Sequence, residues 1–140
     1  MAKMIFVNLP VADVARATAF YAAIGFRKNE TFSNESASAM EWSDTISVML
    51  LAPDFFRGFL PEGHGIADAH RAAEALICLS FDSREAVDAV TDAAAAAGGR
   101  ADVREPQDMG FMYSRAFEDP DGHAFGPFWM NPDGMPKADA

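Results

Sequence analysis

The chain has 140 residues, half of them apolar and 12 of them Phe, which suits one packed unit and excludes a disordered chain. Its net charge of −10 argues against nucleic acid or an anionic membrane surface as a partner, since both are bound through Lys and Arg. A single cysteine, Cys78, excludes an intrachain disulfide, and no apolar run approaches the roughly 20 residues of a membrane helix, so a cytoplasmic, reduced protein is expected.

Residues 4–9 read as a short apolar strand stopped by Pro10. Asp13 suits the N-cap of a helix over 14–24, where Val14, Ala17, Phe20, Tyr21 and Ile24 recur at helical spacing, and Gly25 stands where glycine ends a helix. Residues 26–32 predict a strand, 34–36 a turn, 37–42 a weaker strand and 45–52 the clearest strand of the first half. Residues 53–73 differ, because Pro53, Gly58, Pro61, Gly63 and Gly65 interrupt any regular pattern. This stretch reads as a join between two halves, with a short helical turn around Phe55, Phe56, Phe59 and Leu60.

Residues 75–81 predict the next strand. Asp82 or Ser83 can cap a helix over 84–97 that turns Val87, Val90, Ala94 and Ala97 inward and stops at Gly98-Gly99. Residues 101–104 start a strand, 105–108 turn, and 109–117 form a strand. Asp119-Pro120-Asp121-Gly122 is strong turn chemistry, since Pro presets φ and Gly accepts positive values. Phe125, Phe128, Trp129 and Met130 form the last strand, and Pro127 places its end at an edge or bulge. Residues 132–140 read as a frayed tail.

The order is strand, helix, three strands, given twice at a shift of roughly 70 residues. Leu9-Pro10-Val11-Ala12-Asp13 lines up with Leu79-Ser80-Phe81-Asp82-Ser83, and Ile24-Gly25-Phe26-Arg27 with Ala97-Gly98-Gly99-Arg100. Each half is a small sheet with one helix on one face, so the other face must meet a second sheet or enclose a cleft. The expected class is α+β: two βαβββ modules, 4–52 and 74–131, joined by 53–73 within one domain.

This duplicated order, the start from Asn8 to Asp13 through Phe20-Tyr21 to Gly25-Phe26, and the turn Asp119 to His123 before an aromatic strand resemble the vicinal oxygen chelate superfamily. That superfamily holds glyoxalases, bleomycin-resistance proteins and extradiol dioxygenases. The resemblance covers about residues 4–131, and the chain looks most like the predicted lactoylglutathione lyases. It implies a metal held by side chains from strands one and four of each module. Strand alternation assigns Phe6 and Asn8, then Ser47, Met49 and Leu51, then Leu76, Cys78 and Ser80 to the cleft. Carried onto this chain, the ligand positions fall at Phe6, near Met49, at Leu76 and at Gly126. None offers the N, O or thiolate donors that Zn²⁺, Ni²⁺ or Fe²⁺ needs, so neither metal nor other cofactor is expected.

What remains is an apolar lining of Phe6, Met49, Leu76, Trp42, Met112 and Phe128 around Gly126, with Cys78 as a small buried hydrophobe. Asn8, Ser80, Tyr113, Ser114 and Arg115 are the expected polar groups. Tyr113, His123 and Glu118 are the candidate acids or bases if chemistry occurs. His64 and His70, with Glu62 and Asp68, read as solvated loop side chains. Three functions compete. The favoured one is a metal-free binding protein of the bleomycin-resistance type for a small apolar or aromatic ligand, for which the acidic surface is compatible with a cation. The second is a lactoylglutathione lyase-like or dioxygenase-like enzyme with a non-standard site, and the third a structural or regulatory dimer. A homodimer is expected, since the superfamily commonly forms its clefts between two copies.

Overall fold

A computed structural model describes residues 1–134; residues 135–140 of the expected tail lie outside the described residues. The tail's first residues, Pro132–Gly134, form a single 3₁₀ turn. The first half runs β1 (Ile5–Pro10), α1 (Val14–Ala23), β2 (Arg27–Asn29), β3 (Ala37–Glu41) and β4 (Ile46–Leu51). These strands form one sheet in the order β1-β4-β3-β2, with β1 parallel to β4 and the other pairs antiparallel. Asp13 caps α1 by accepting from the Arg16 amide at 3.0 Å. The expected strand at 26–32 is cut short. The Asn29 side chain accepts from the amides of Thr31 and Phe32 and winds Glu30–Phe32 into a 3₁₀ turn.

After α2 (Pro53–Arg57) the second half runs β5 (Leu76–Ile77), α3 (Arg84–Ala96), β6 (Arg100–Ala101), β7 (Gln107–Asp108), β8 (Met112–Ser114), β9 (Phe117–Glu118), β10 (Ala124–Phe125) and β11 (Phe128–Met130). Ser83, not Asp82, caps α3. The short strands belong to two longer ones. Phe117 faces Phe125 and Ser114 faces Phe128 in one register, and the Arg115 amide bridges the gap by donating to the Pro127 carbonyl at 3.1 Å. On the other side the amides of Gly126 and Phe128 donate to the carbonyls of Ile77 and Leu79. The second half therefore repeats the first: a parallel pair from its first and last strands, then antiparallel neighbours.

Two sequence readings change here. Residues 107–108 are strand rather than turn, while 109–111 are not strand, because Gly110 at φ 80° turns the chain between β7 and β8. Pro127 precedes β11, which lies at the edge of its sheet, as expected. It lies buried between β10 and β11, and β10 runs between β5 and β9. Its missing N–H interrupts the ladder there.

One core joins the halves. Phe20 and Tyr21 of α1 reach across to Phe117 and Phe125, with ring centroids 6.3 and 5.8 Å apart. Val90 and Ala94 of α3 close the same cluster. Tyr21 is fully buried, and its hydroxyl donates to Asp119 Oδ2 at 2.6 Å. The other carboxylate oxygen of Asp119 accepts the amides of Asp121 and His123 at 2.9 Å, which fixes the Asp119 to Gly122 turn. Burial raises the pKa of both groups, and the Asp119 carboxylate adds to the rise at Tyr21. Among the described residues no helix is long and apolar enough to cross a membrane.

Candidate functional site

The helices cover one face of each sheet, and the opposite, outer faces carry the side chains that alternation assigned to the cleft. On the first sheet, register places Phe6 beside Ser47, and Asn8 beside Met49 and then Ala39. Val7 and Leu9 turn the other way and pack on the core. Phe6 is 52% exposed. α2 and the turn after it stand over one end of this face. There Asn8, Leu51, Phe56 and Phe59 enclose a pocket of about 370 Å³. Three of its four walls are apolar, and the Asn8 amide is the polar group, as in a small-molecule site.

On the second sheet the outer face holds Leu76, Cys78 and Ser80 of the first strand. Gly126 lies beside Cys78, and Phe128 pairs with Ser80. Leu76 is 75% exposed and the Cys78 thiol is exposed rather than buried, because both point away from α3. A Cβ built on Gly126 would meet Cys78 Sγ at 3.1 Å and Arg104 Nη2 at 3.8 Å. Gly126 is buried, and the Cys78 sulfur takes the space a side chain there would need, with the Arg104 guanidinium close by.

Several expected site residues lie elsewhere. Trp42 is not on an outer face; its ring packs between Phe26 and Phe81, at 5.0 and 5.1 Å, on the helix side. Tyr113 faces α3, where its hydroxyl donates to Asp88 Oδ1 at 2.7 Å, and that bond raises its pKa. Arg115 has the same parity. It bonds Asp88 and Asp92 of α3 and, through two nitrogens, Asp102, whose carboxyl it holds below the usual range. Ser114 and Met112 do pair with Phe128 and Met130 and share the outer face.

The three candidate acids and bases are not brought together. Glu118 is on the second outer face, 3.6 Å from Arg100. Tyr113 is on the opposite face. His123 sits at the seam between the halves, with Nε2 2.7 Å from the Pro10 carbonyl. At that seam Asp121 accepts from the Ala12 amide at 2.9 Å and from Arg16 at 3.3 Å. His70 from the long join is exposed, as expected, and lies against Gly122 at the seam. Arg16, Arg57, His70 and His123 line a hollow of about 480 Å³ there.

A metal does not fit the residues present. The implied corners are Phe6, Met49, Leu76 and Gly126, and of these only the Met49 thioether has a donor atom, a soft one. Among the described residues no three His, Cys, Asp or Glu side chains are placed to hold an ion. Sequence reading missed Phe56 and Phe59 as pocket walls. The phenylalanine cluster was visible as a pattern, but the sheet face it folds onto is set only by the turn at Ala52–Pro53.

Two sheets of parallel-then-antiparallel order, each backed by one helix and each presenting an open outer face, define a paired βαβββ protein. The model of the glyoxalase/bleomycin resistance protein/dioxygenase superfamily matches residues 3–126, and the chain belongs to that superfamily. Among solved structures it is similar to a hypothetical protein, SA1046, from S. aureus (26% identity, 92% of this chain and 95% of that one, TM-score 0.76). It is also similar to a lactoylglutathione lyase from Agrobacterium tumefaciens (16%, 96% and 98%, TM-score 0.67). A genomically encoded fosfomycin resistance protein from Listeria monocytogenes is similar as well (19%, 99% and 96%, TM-score 0.64). The latter two share the fold at identities too low to carry an activity. No curated protein matches the chain.

Proposed function

We propose that this chain is a metal-free, cytoplasmic small-molecule-binding protein, whose apolar cleft forms where the outer faces of two copies meet. The observation that carries this reading is the pocket under Phe56 and Phe59, which opens on the sheet face that carries Phe6 and Met49, two of the implied metal positions. Phe and Leu side chains there favour a flat or branched apolar body and recognise it by shape. At about 370 Å³, the pocket suits a ligand of small-molecule size.

The reading predicts two results on protein purified without added metal. Elemental analysis should find less than about 0.1 transition-metal equivalent per chain, since the donor set is absent. Small aromatic compounds should raise the melting temperature saturably in the presence of a chelator, because a ligand that binds only the native state stabilises it. Near one equivalent of tightly held metal, or stabilisation that requires metal, overturns the reading.

A further inference from the structure

We infer that the seam hollow is a second ligand site, separate from the Asn8 pocket, for a small apolar α-amino acid bound as its zwitterion. The inference goes beyond the binding reading above and does not rest on it. The hollow measures about 480 Å³, within the range of small-molecule sites. Four segments far apart in the chain build it. They are the end of β1 with Arg16 of α1, Pro53 and Arg57 of α2, residues 66–70 of the join, and the turn with Pro120, Asp121 and His123.

Asp121 is the residue that calls for a ligand. Its side chain is only 10% exposed. Oδ1 accepts from the Ala12 amide at 2.9 Å and from Arg16 Nη2 at 3.3 Å. Oδ2 is buried without a donor, and among the described residues no other buried side-chain nitrogen or oxygen is left so. Buried carboxylate oxygens are unfavourable without a donor, and Asp121 lines the hollow, so an occupant of the hollow is placed to supply one. An ammonium makes the stronger, charge-assisted bond. Arg16 and Arg57 offer the opposite charge. Among the described residues each guanidinium gives one hydrogen bond, to Asp121 and to Asp54, out of five N–H donors. Both are more or less half exposed, so they can turn to a ligand carboxylate. Drawing Arg16 towards that carboxylate also frees Asp121 for the ammonium. With the histidines neutral, Arg16 and Arg57 balance Asp68 and Asp121 in the lining, which favours neither a bare anion nor a bare cation. A zwitterion has no net charge, so the −10 of the chain does not oppose its approach. Pro10, Pro53, Ile66 and Pro120 give its side chain apolar walls.

Three probes with one hydrocarbon body test this by calorimetry near neutral pH at fixed ionic strength: L-leucine, 4-methylpentanoate without the ammonium, and 3-methylbutylamine without the carboxylate. Leucine should bind at least about tenfold tighter than either analogue. Arg57→Met should weaken leucine and 4-methylpentanoate by about tenfold and leave the amine within about twofold. Its melting temperature should not change, because Arg57 is exposed and its ion pair with the fully exposed Asp54 contributes little. Asp121→Asn keeps an acceptor for Ala12 and should weaken leucine and the amine but not 4-methylpentanoate. Leucine and 1-naphthalenemethanol, an aromatic probe for the Asn8 pocket, should bind together without competing. Leucine that binds no tighter than its analogues, that keeps full affinity for the Arg57→Met protein, or that competes with the aromatic probe overturns the inference. Leucine binding in a protein that ignores the aromatic probe upholds it and removes the binding reading instead.

Discussion

Tyr21 is the residue on which the two halves depend most. It belongs to α1, yet its hydroxyl ends on Asp119 at the start of the turn of the second half. Asp119 is 2% exposed, and among the described residues its carboxylate accepts, besides Tyr21, only the two turn amides. Replacing Tyr21 by Phe keeps the ring among Phe20, Phe26 and Phe125 and removes one donor from a buried acceptor. The expected loss is about 1–3 kcal/mol, the range for a buried polar group left short of a partner. Urea unfolding should show it as a lower midpoint at an unchanged slope. Binding of an aromatic probe to the folded variant should be unaffected, since Tyr21 lies on the helix side. A stability equal to wild type would mean that the contact does not join the halves. Both residues are plain in the sequence, Tyr21 as a helix-face aromatic and Asp119 as a turn former. Their bond was not legible, because nothing local says that residues 98 positions apart will meet.

At the scale of elements, Arg84 in the first turn of α3 clamps the edge strand β7. Its two terminal nitrogens donate to both carboxylate oxygens of Asp108 at 2.9 Å, and one also reaches the Gly110 carbonyl at 3.0 Å. The guanidinium lies over the rings of Tyr113 and Trp129 as well, at 5.1 and 5.2 Å. The hydrogen bond from Arg84 is the main reason that the Asp108 carboxyl is held down to about 2. A carboxyl with a folded value below its unfolded one stabilises the fold above the unfolded value, and that stabilisation fades as pH falls towards the folded one. The window is therefore about pH 4 down to about 2. Asp108→Asn should be less stable than wild type at neutral pH, with the gap in urea midpoint closing as pH drops through that window. A gap that stays constant would show that the pairing contributes nothing through ionisation. The same region shows why strands were harder to read than helices. α1 and α3 announce themselves by caps and spacing, and their bounds came within a residue or so. β6 to β9 are two or three residues each, so the register that makes them strands comes from partners far along the chain. The outer-face alternation of Phe6, Asn8, Leu76 and Cys78 was legible because period two survives without knowing the partner. The inward turn of Trp42 and Tyr113 follows the parity of Met40 and Phe117, which only the pairing with β4 and β10 identifies as core.

For the whole molecule the question is what covers the outer faces. Within one chain α1 packs against both sheets, which leaves Phe6 52% and Leu76 75% exposed, with Met4 52% exposed near Phe6. Apolar side chains gathered on a sheet face of a small protein mark a contact surface. A second copy related by a twofold axis would lay the first sheet of one chain against the second sheet of the other. That would bring the Asn8 pocket opposite the face of Leu76 and Cys78 and complete two equivalent clefts. In such an interface each side chain is buried twice. At about 1.5–3 kcal/mol for each large apolar side chain buried, Phe6 and Leu76 together would then hold the dimer by several orders of magnitude in affinity. Sedimentation velocity should therefore find a dimer across the micromolar range. Phe6→Asp with Leu76→Asp should sediment as a monomer and keep its far-ultraviolet circular dichroism, since both positions already face water in the single chain. The same double variant should lose aromatic-probe binding even though the pocket walls Leu51, Phe56 and Phe59 are untouched. A wild-type monomer that nevertheless binds the probes would place the whole site on one chain, under α2, and remove the second copy from the cleft.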